Sequence, residues 1–126
     1  LIITATPSDK PLLSADVVRP GTHITAMGAD TPLKHELDPE ILARADLVVG
    51  DSISQCRERG EIFKALEAGR LQEQNIIELG EIINGRVVGR TKKEQITVAD
   101  LTGVAVQDIQ IAKAVCEGLG GSAEEE

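Results

Sequence analysis

The sequence predicts an α/β protein built on a parallel sheet, and three observations carry that expectation. Short β-rich apolar runs alternate with helical patterns along the 126 residues, as in successive βαβ units. That length accommodates one domain with a sizeable core but not two. Apolar residues make up 41% of the chain, which places it among globular rather than disordered sequences.

Each element has its own local cause. Leu1 to Ala5 reads as the first strand, ended by Thr6-Pro7-Ser8-Asp9. A helical turn around Ser14-Ala15-Asp16-Val17-Val18 follows and is stopped by Arg19-Pro20-Gly21, after which His23 to Met27 forms the second strand. Asp38-Pro39-Glu40 is a helix start, with Asp38 as N-cap and Pro39 at the first helical position; this helix runs to about Ala45. Leu47 to Gly50 is the third strand. Ser52 with Gln55 three residues on resembles a capping box, so a helix starts there, breaks or bends at Gly60 and stops near Gly69. Its apolar face is Ile62, Phe63, Leu66 and Leu71.

Ile76 to Ile83 admits two readings. In the preferred one, Ile76, Ile77 and Leu79 give a short strand and Glu81-Ile82-Ile83 a helical turn ending at Asn84-Gly85. In the rival one, Asn84-Gly85 closes a hairpin between Ile82-Ile83 and Val87-Val88. Gln95 to Leu101 is the last strand. After Thr102-Gly103 a final helix carries Val106, Ile109, Ala112, Val115 and Cys116 at helical spacing, and Gly118, Gly120 and Gly121 close it.

Composition excludes several function classes. Phe63 is the single aromatic residue, so the core is aliphatic and base stacking has no platform. The formal net charge is −8, with Glu124, Glu125 and Glu126 supplying part of it, and an acidic surface repels phosphate backbones. No nucleic-acid partner is expected. No apolar run approaches the ~20 residues that cross a bilayer, so no membrane partner is expected either. Cys56 and Cys116 form no CxxC pattern, and no signal peptide opens the chain; a reducing cytoplasm is the expected setting. Cys56 is expected on a helix and partly exposed, Cys116 in the core. His23 and His35 lie in no metal-ligand spacing, and no metal is expected.

In open parallel sheets ligands lie outside the carboxyl ends of the strands. Four loops meet that condition: Ala5-Thr6-Pro7-Ser8, Gly28-Ala29-Asp30, Asp51-Ser52 and Thr102-Gly103. The Gly-Ala pair lets backbone approach a ligand, and Asp30 is then the candidate acid or base. Against this, an aspartate in Gly-Ala-Asp-Thr-Pro also serves as a turn cap, and Thr6 before Pro7 also closes a turn. Asp51 suits either a cofactor group or helix capping. Lys34 reads as a solvated loop lysine, His23 as structural and His35 as exposed. No Gly-x-Gly-x-x-Gly turn for a pyrophosphate occurs anywhere in the chain.

Five strings occur in order: Thr4-Ala5-Thr6-Pro7-Ser8, Arg19-Pro20-Gly21-Thr22-His23-Ile24, Gly28-Ala29-Asp30-Thr31-Pro32-Leu33-Lys34-His35-Glu36-Leu37-Asp38, Glu78-Leu79-Gly80-Glu81-Ile82 and Thr102-Gly103-Val104-Ala105-Val106-Gln107-Asp108. Together they resemble the ornithine cyclodeaminase/mu-crystallin family, from Leu1 to about Leu119. The resemblance is to the C-terminal part of that family. It implies that residues 1–119 are the C-terminal portion of a Rossmann-type NAD(P)-binding domain, followed by an acidic disordered tail at 120–126. The family's N-terminal substrate and dimerisation region and its Gly-rich turn have no counterpart here, so the chain is expected to be a fragment, inactive alone, with a bare sheet edge.

The resemblance also implies NAD or NADP as cofactor, a small amino acid or cyclic imine as substrate, and a homodimer when complete. Ala5, Thr6 and Pro7 match the loop near the nicotinamide ribose, Gly28 and Ala29 the loop along the nicotinamide, Thr102 and Gly103 the contact on the far side. Asp30 matches the carboxylate proposed as acid/base in cyclodeaminases. In such an enzyme hydride leaves the amino-acid Cα, the δ-amine closes a ring, ammonia departs, and hydride returns to give proline. Alanine dehydrogenase and ketimine or pyrroline-2-carboxylate reductase are the alternatives within the family, and a non-catalytic crystallin-type protein is a third. A carboxylate beside an apolar nicotinamide face is expected to have its pKa raised toward neutrality.

Overall fold

The computed structural model describes residues 1–120. Five strands form one sheet: β1 (Ile2–Thr4), β2 (His23–Ala26), β3 (Leu47–Gly50), β4 (Ile76–Glu78) and β5 (Thr97–Asp100). Their spatial order is β1-β2-β5-β3-β4, and every neighbouring pair is parallel. The helices are α1 (Pro39–Arg44), α2 (Ile53–Cys56), α3 (Gly60–Glu67), α4 (Leu79–Ile83) and α5 (Ala105–Gly120). Three-residue 3-10 turns at Ala15–Val17 and Glu73–Asn75 complete the path. Apart from Gly120 at the end of α5, the acidic tail expected at 120–126 lies outside the described residues.

The expected local signals act where they were read. The Asp38 carboxylate accepts from Glu40 N at 2.9 Å, with Pro39 opening α1. Gly60 separates α2 from α3 at φ +93°. Asn84 caps α4 and Gly85 turns away at φ +70°, so the helical reading of this stretch holds and the hairpin does not form. Ser52 is the N-cap of α2, but the expected capping box is absent. Its hydroxyl meets Ser54 Oγ at 2.9 Å instead, while Asp51 accepts from Ser52 N, the donor that a capping-box Gln55 would have taken, and Glu78 accepts from Ile53 N.

The core fills one face of the sheet. The row Ile2, Ile24, Val98, Val48, Ile76 shares a side and meets Leu37, Ile41, Leu42, Ile62 and Ala65 from the covering helices. Each such buried aliphatic side chain contributes roughly 1.5–3 kcal/mol of transfer free energy. Ile41, on α1, is 1% exposed. Ile41→Val is expected to cost about 1 kcal/mol in urea unfolding, the deletion of one methyl from a packed site. The opposite face carries Ile3, Thr25, Ala99, Val49 and Ile77. It leaves a cavity of about 280 Å³ lined by His23, Leu47, Val49, Leu79, Ile82 and Ala99 among others. His23 is structural here: Nδ1 lies 2.7 Å from Thr97 Oγ1 and Nε2 3.2 Å from Thr25 Oγ1. Burial, with the Arg90 charge, holds its pKa below the usual histidine range.

Two burial expectations are reversed. Cys56 is fully buried, its Sγ packed against Gly50, where an added Cβ would sit 2.7 Å away. Burial and the nearby Asp100 and Asp51 push its thiol up to about 12, so it is an inert core group. Cys116 is exposed. The cause is α5, whose Val106, Ile109, Val115 and Leu119 are each more than half exposed, so its apolar side finds no partner surface among the described residues. The bare edge is β1, where Leu1 and Ile3 are 84% and 60% exposed. Among the described residues no helix is long and apolar enough to cross a membrane.

Candidate functional site

Because all five strands run the same way, their last residues align in one row: Thr4, Ala26, Asp100, Gly50, Glu78. Every loop after a strand therefore leaves from one edge. The ladder continues one residue further, with Met27 N donating to Thr4 O at 2.9 Å, Leu101 N to Ala26 O at 2.8 Å and Asp51 N to Asp100 O at 3.1 Å. The structure thus brings the four candidate loops together, in the spatial order Ala5–Pro7, Gly28–Asp30, Thr102–Gly103, Asp51–Ser52.

The first two loops are held by a buried carboxylate. Glu36 is 0% exposed; its Oε1 accepts from Thr6 N at 2.6 Å and its Oε2 from Gly28 N at 3.1 Å. This explains Gly28 physically. An added Cβ there would lie 2.4 Å from Thr6 O and 2.5 Å from Glu36 Oε2, so the close approach that glycine permits is to the protein's own loop. Thr6 Oγ1 accepts from Ser8 N at 3.3 Å, which makes its turn-closing role real. Ala5, Thr6 and Pro7 are exposed, whereas Ala29 is 2% exposed and offers only its backbone.

Asp51 holds the other pair. Its Oδ1 accepts from Thr102 Oγ1 at 2.8 Å and from Ser52 N at 2.8 Å, and its Oδ2 accepts from Gly103 N at 3.0 Å. Thr102 is buried, and its hydroxyl also lies 3.2 Å from Gln55 Oε1. Gly103 is exposed at φ +83° with open space where a Cβ would be. Gln55 in turn accepts from Arg59 Nη2, while Arg59 Nε is buried without an acceptor.

Asp30 stands out from this edge. Its side chain is 55% exposed and its Oδ1 pairs with Lys34 Nζ at 2.6 Å. The Lys34 hydrogen bond and charge, with Arg59 adding a more distant charge, hold its carboxyl below the usual aspartate range. The expected upward shift is therefore reversed, because an ammonium rather than an apolar wall is the neighbour. Lys34, read as merely solvated, is half-buried and paired. His35, read as exposed, is half-buried: its backbone N donates to Ser8 O at 2.8 Å and its Nε2 lies 3.7 Å from Glu61 Oε2.

Beneath the loops lie two carboxyls that sequence reasoning missed. Glu61 is 1% exposed and accepts from Glu36 N at 2.7 Å and Leu37 N at 3.0 Å. Asp100 is 1% exposed; its Oδ2 accepts from Ile62 N at 2.8 Å, and its Oδ1 is buried without a partner. Burial, reinforced by neighbouring carboxylates, raises Glu61 to about 7 and Asp100 to about 8. Glu36 was likewise missed as a functional position. Its partners lie 30 and 8 residues away, and only its place in the Gly28–Asp38 string marked it.

The edge offers carboxylate and hydroxyl acceptors and small residues. That set fits the hydroxyl-rich nicotinamide–ribose end of a dinucleotide, whose oxidised ring is a cation that carboxylates tolerate. Pyrophosphate is a different case, since no Gly-rich turn opens onto a helix N-terminus.

Comparison with known proteins bears on the family, the fold and the cofactor. A protein of Sinorhizobium fredii named an uncharacterized cyclodeaminase is 49% identical over 113 residues, covering 89% of this chain and 34% of that protein. An archaeal alanine dehydrogenase dimer solved with bound NAD superposes with a TM-score of 0.87 at 44% identity, over 95% of this chain and 38% of that one. The iminosuccinate reductase of Paracoccus denitrificans, solved in complex with NAD+, gives 0.85 at 42%, over 92% and 35%. The chain thus spans about a third of the length of the relatives it matches. The model of the ornithine cyclodeaminase/mu-crystallin family matches residues 1–122, and the chain belongs to that family.

Proposed function

We propose that this chain is the nicotinamide-side portion of an NAD(P)-dependent, cyclodeaminase-like enzyme that acts on a small amino acid and works as part of a longer, dimeric, cytoplasmic protein. The observation that carries the reading is the accessible carboxylate of Asp30, two residues after Gly28, at the carboxyl edge of a parallel sheet. A bound nicotinamide supplies a two-electron hydride acceptor and donor at that edge. Ala5, Thr6 and Pro7 would border its ribose, the backbone of Gly28 and Ala29 would hold the ring, and Thr102 and Gly103 would close the far side. Asp30 takes the proton released from the substrate nitrogen as the Cα–H bond is lost and the imine forms. Asp30 is anionic at neutral pH, the form that this step requires, and Lys34 pairs with that anion.

Likeness to an alanine dehydrogenase and an iminosuccinate reductase at 44% and 42% identity favours a second reading, net amino-acid oxidation or imine reduction without ring closure. Both readings share the hydride step and the same residues. A screen of the full-length protein separates them. With ornithine and NAD+, the cyclodeaminase reading expects ammonia and proline with no net accumulation of NADH. NADH formed from alanine, or consumed with pyrroline-2-carboxylate, would establish the second reading. NADH binding without turnover of any of these substrates would establish a crystallin-type binding protein.

A further inference from the structure

We propose that Glu36 is a positioning residue for hydride transfer, setting the distance between the two loops that border the nicotinamide. The inference rests on the cofactor reading above. Glu36 is 0% exposed and touches neither solvent nor any expected ligand, yet both its oxygens are committed to that edge. Oε1 takes Thr6 N at 2.6 Å and Oε2 takes Gly28 N at 3.1 Å, so one rigid carboxylate joins the end of β1 to the end of β2.

The clamp is itself clamped. Glu36 N and Leu37 N donate to Glu61 at 2.7 and 3.0 Å, and Glu36 O accepts from Leu12 N and Leu13 N at 2.7 and 3.1 Å. The side chain therefore has little freedom to follow the loops; the loops follow it. Thr6 O and the Glu36 carboxylate occupy the space where a Cβ at residue 28 would project, so the contact is already as close as glycine allows. Beyond Gly28 the chain makes one turn, with Asp30 N donating to Gly28 O at 3.2 Å, and presents the Asp30 carboxylate. A shift at Gly28 is thus carried directly to Asp30 and to the backbone along the ring.

Glu36→Gln tests this. An amide has the same shape, but it presents an N–H to one of two N–H donors, so one loop loses its acceptor. In the full-length enzyme with NAD+ and its substrate, kcat per folded site is expected to fall about tenfold to a hundredfold, the scale that a misplacement of about 1 Å costs. KM should change less. The deuterium isotope effect from Cα-deuterated substrate should rise, as hydride transfer over a looser distance comes to limit the rate. Ile41→Val, which loosens the core away from this edge, is the comparison and should lower stability with kcat and isotope effect unchanged. If Glu36→Gln does not fold, Glu36→Asp, which keeps both acceptors but is one methylene short, is expected to show the same rise. Unchanged kcat and isotope effect per folded site in the variant that folds would overturn the positioning role while leaving the cofactor reading intact. A parent protein that neither binds NADH nor turns over would remove both.

Discussion

Asp30→Asn in the full-length protein is expected to lower turnover by about 10²–10⁴-fold, the range for loss of a positioned proton acceptor. Stability should hardly move. The side chain is 55% exposed, its one partner is Lys34, and the turn is set by backbone bonds that Asn retains. Cofactor binding, followed by NADH fluorescence, should persist. Unchanged turnover with intact binding would take the proton-transfer role away from Asp30. The neighbour gives a second handle. Lys34 holds the Asp30 carboxyl below its ordinary range, so the acid limb of kcat/KM lies at low pH. Lys34→Met removes that hold, and the acid limb should move to higher pH. A limb that stays in place would show that another group governs it.

The second large effect is a loss of stability as pH rises above neutrality. Glu61 and Asp100 keep their protons to about 7 and about 8 in the folded chain, against ordinary values of 4.5 and 3.8. An unfolded chain releases those protons near pH 4. Between these limits unfolding releases protons, so the free energy of unfolding falls with rising pH by about 1.4 kcal/mol per unit for each group still titrating. His23 and His35 have depressed pKa values, and both act in the opposite direction below about pH 6.5. The clean window is therefore pH 6.5 to 8.5, over which a loss of about 2–3 kcal/mol is expected by urea unfolding. Asp100→Asn keeps an oxygen for Ile62 N and removes the charge, so its stability should be flatter across that window. A wild-type stability that is level or rises from pH 6.5 to 8.5 would contradict the buried protons.

What was legible in the sequence was local. Asp38-Pro39 starts α1, Gly60 divides α2 from α3 and Asn84-Gly85 ends α4, because each acts within one turn of chain. The alternation of strands and helices gave the parallel sheet, and the sheet gave the shared edge of the four loops. The clamps were not legible. Glu36 reaches Thr6 across 30 residues, Glu61 reaches Glu36 N across 25 and Asp100 reaches Ile62 N across 38, and no periodicity encodes such pairings. Cys56 and Cys116 were assigned the wrong environments for a related reason. Helical spacing marks an apolar side but not whether a surface exists to cover it, and α5 has none among the described residues. The Asp30 shift was within reach, since Lys34 stands four residues on in the same loop.

The position of the nicotinamide decides the roles of these loops, and the structure of the full-length protein bound to NADH measures it directly. The predicted result places the ring along Gly28–Ala29, with Thr6–Pro7 at its ribose. The Asp30 carboxylate should then stand where a substrate nitrogen would lie within about 3–3.5 Å of it. A ring bound away from this edge, for example in the cavity between α4 and the sheet beside His23 and Leu79, would contradict it.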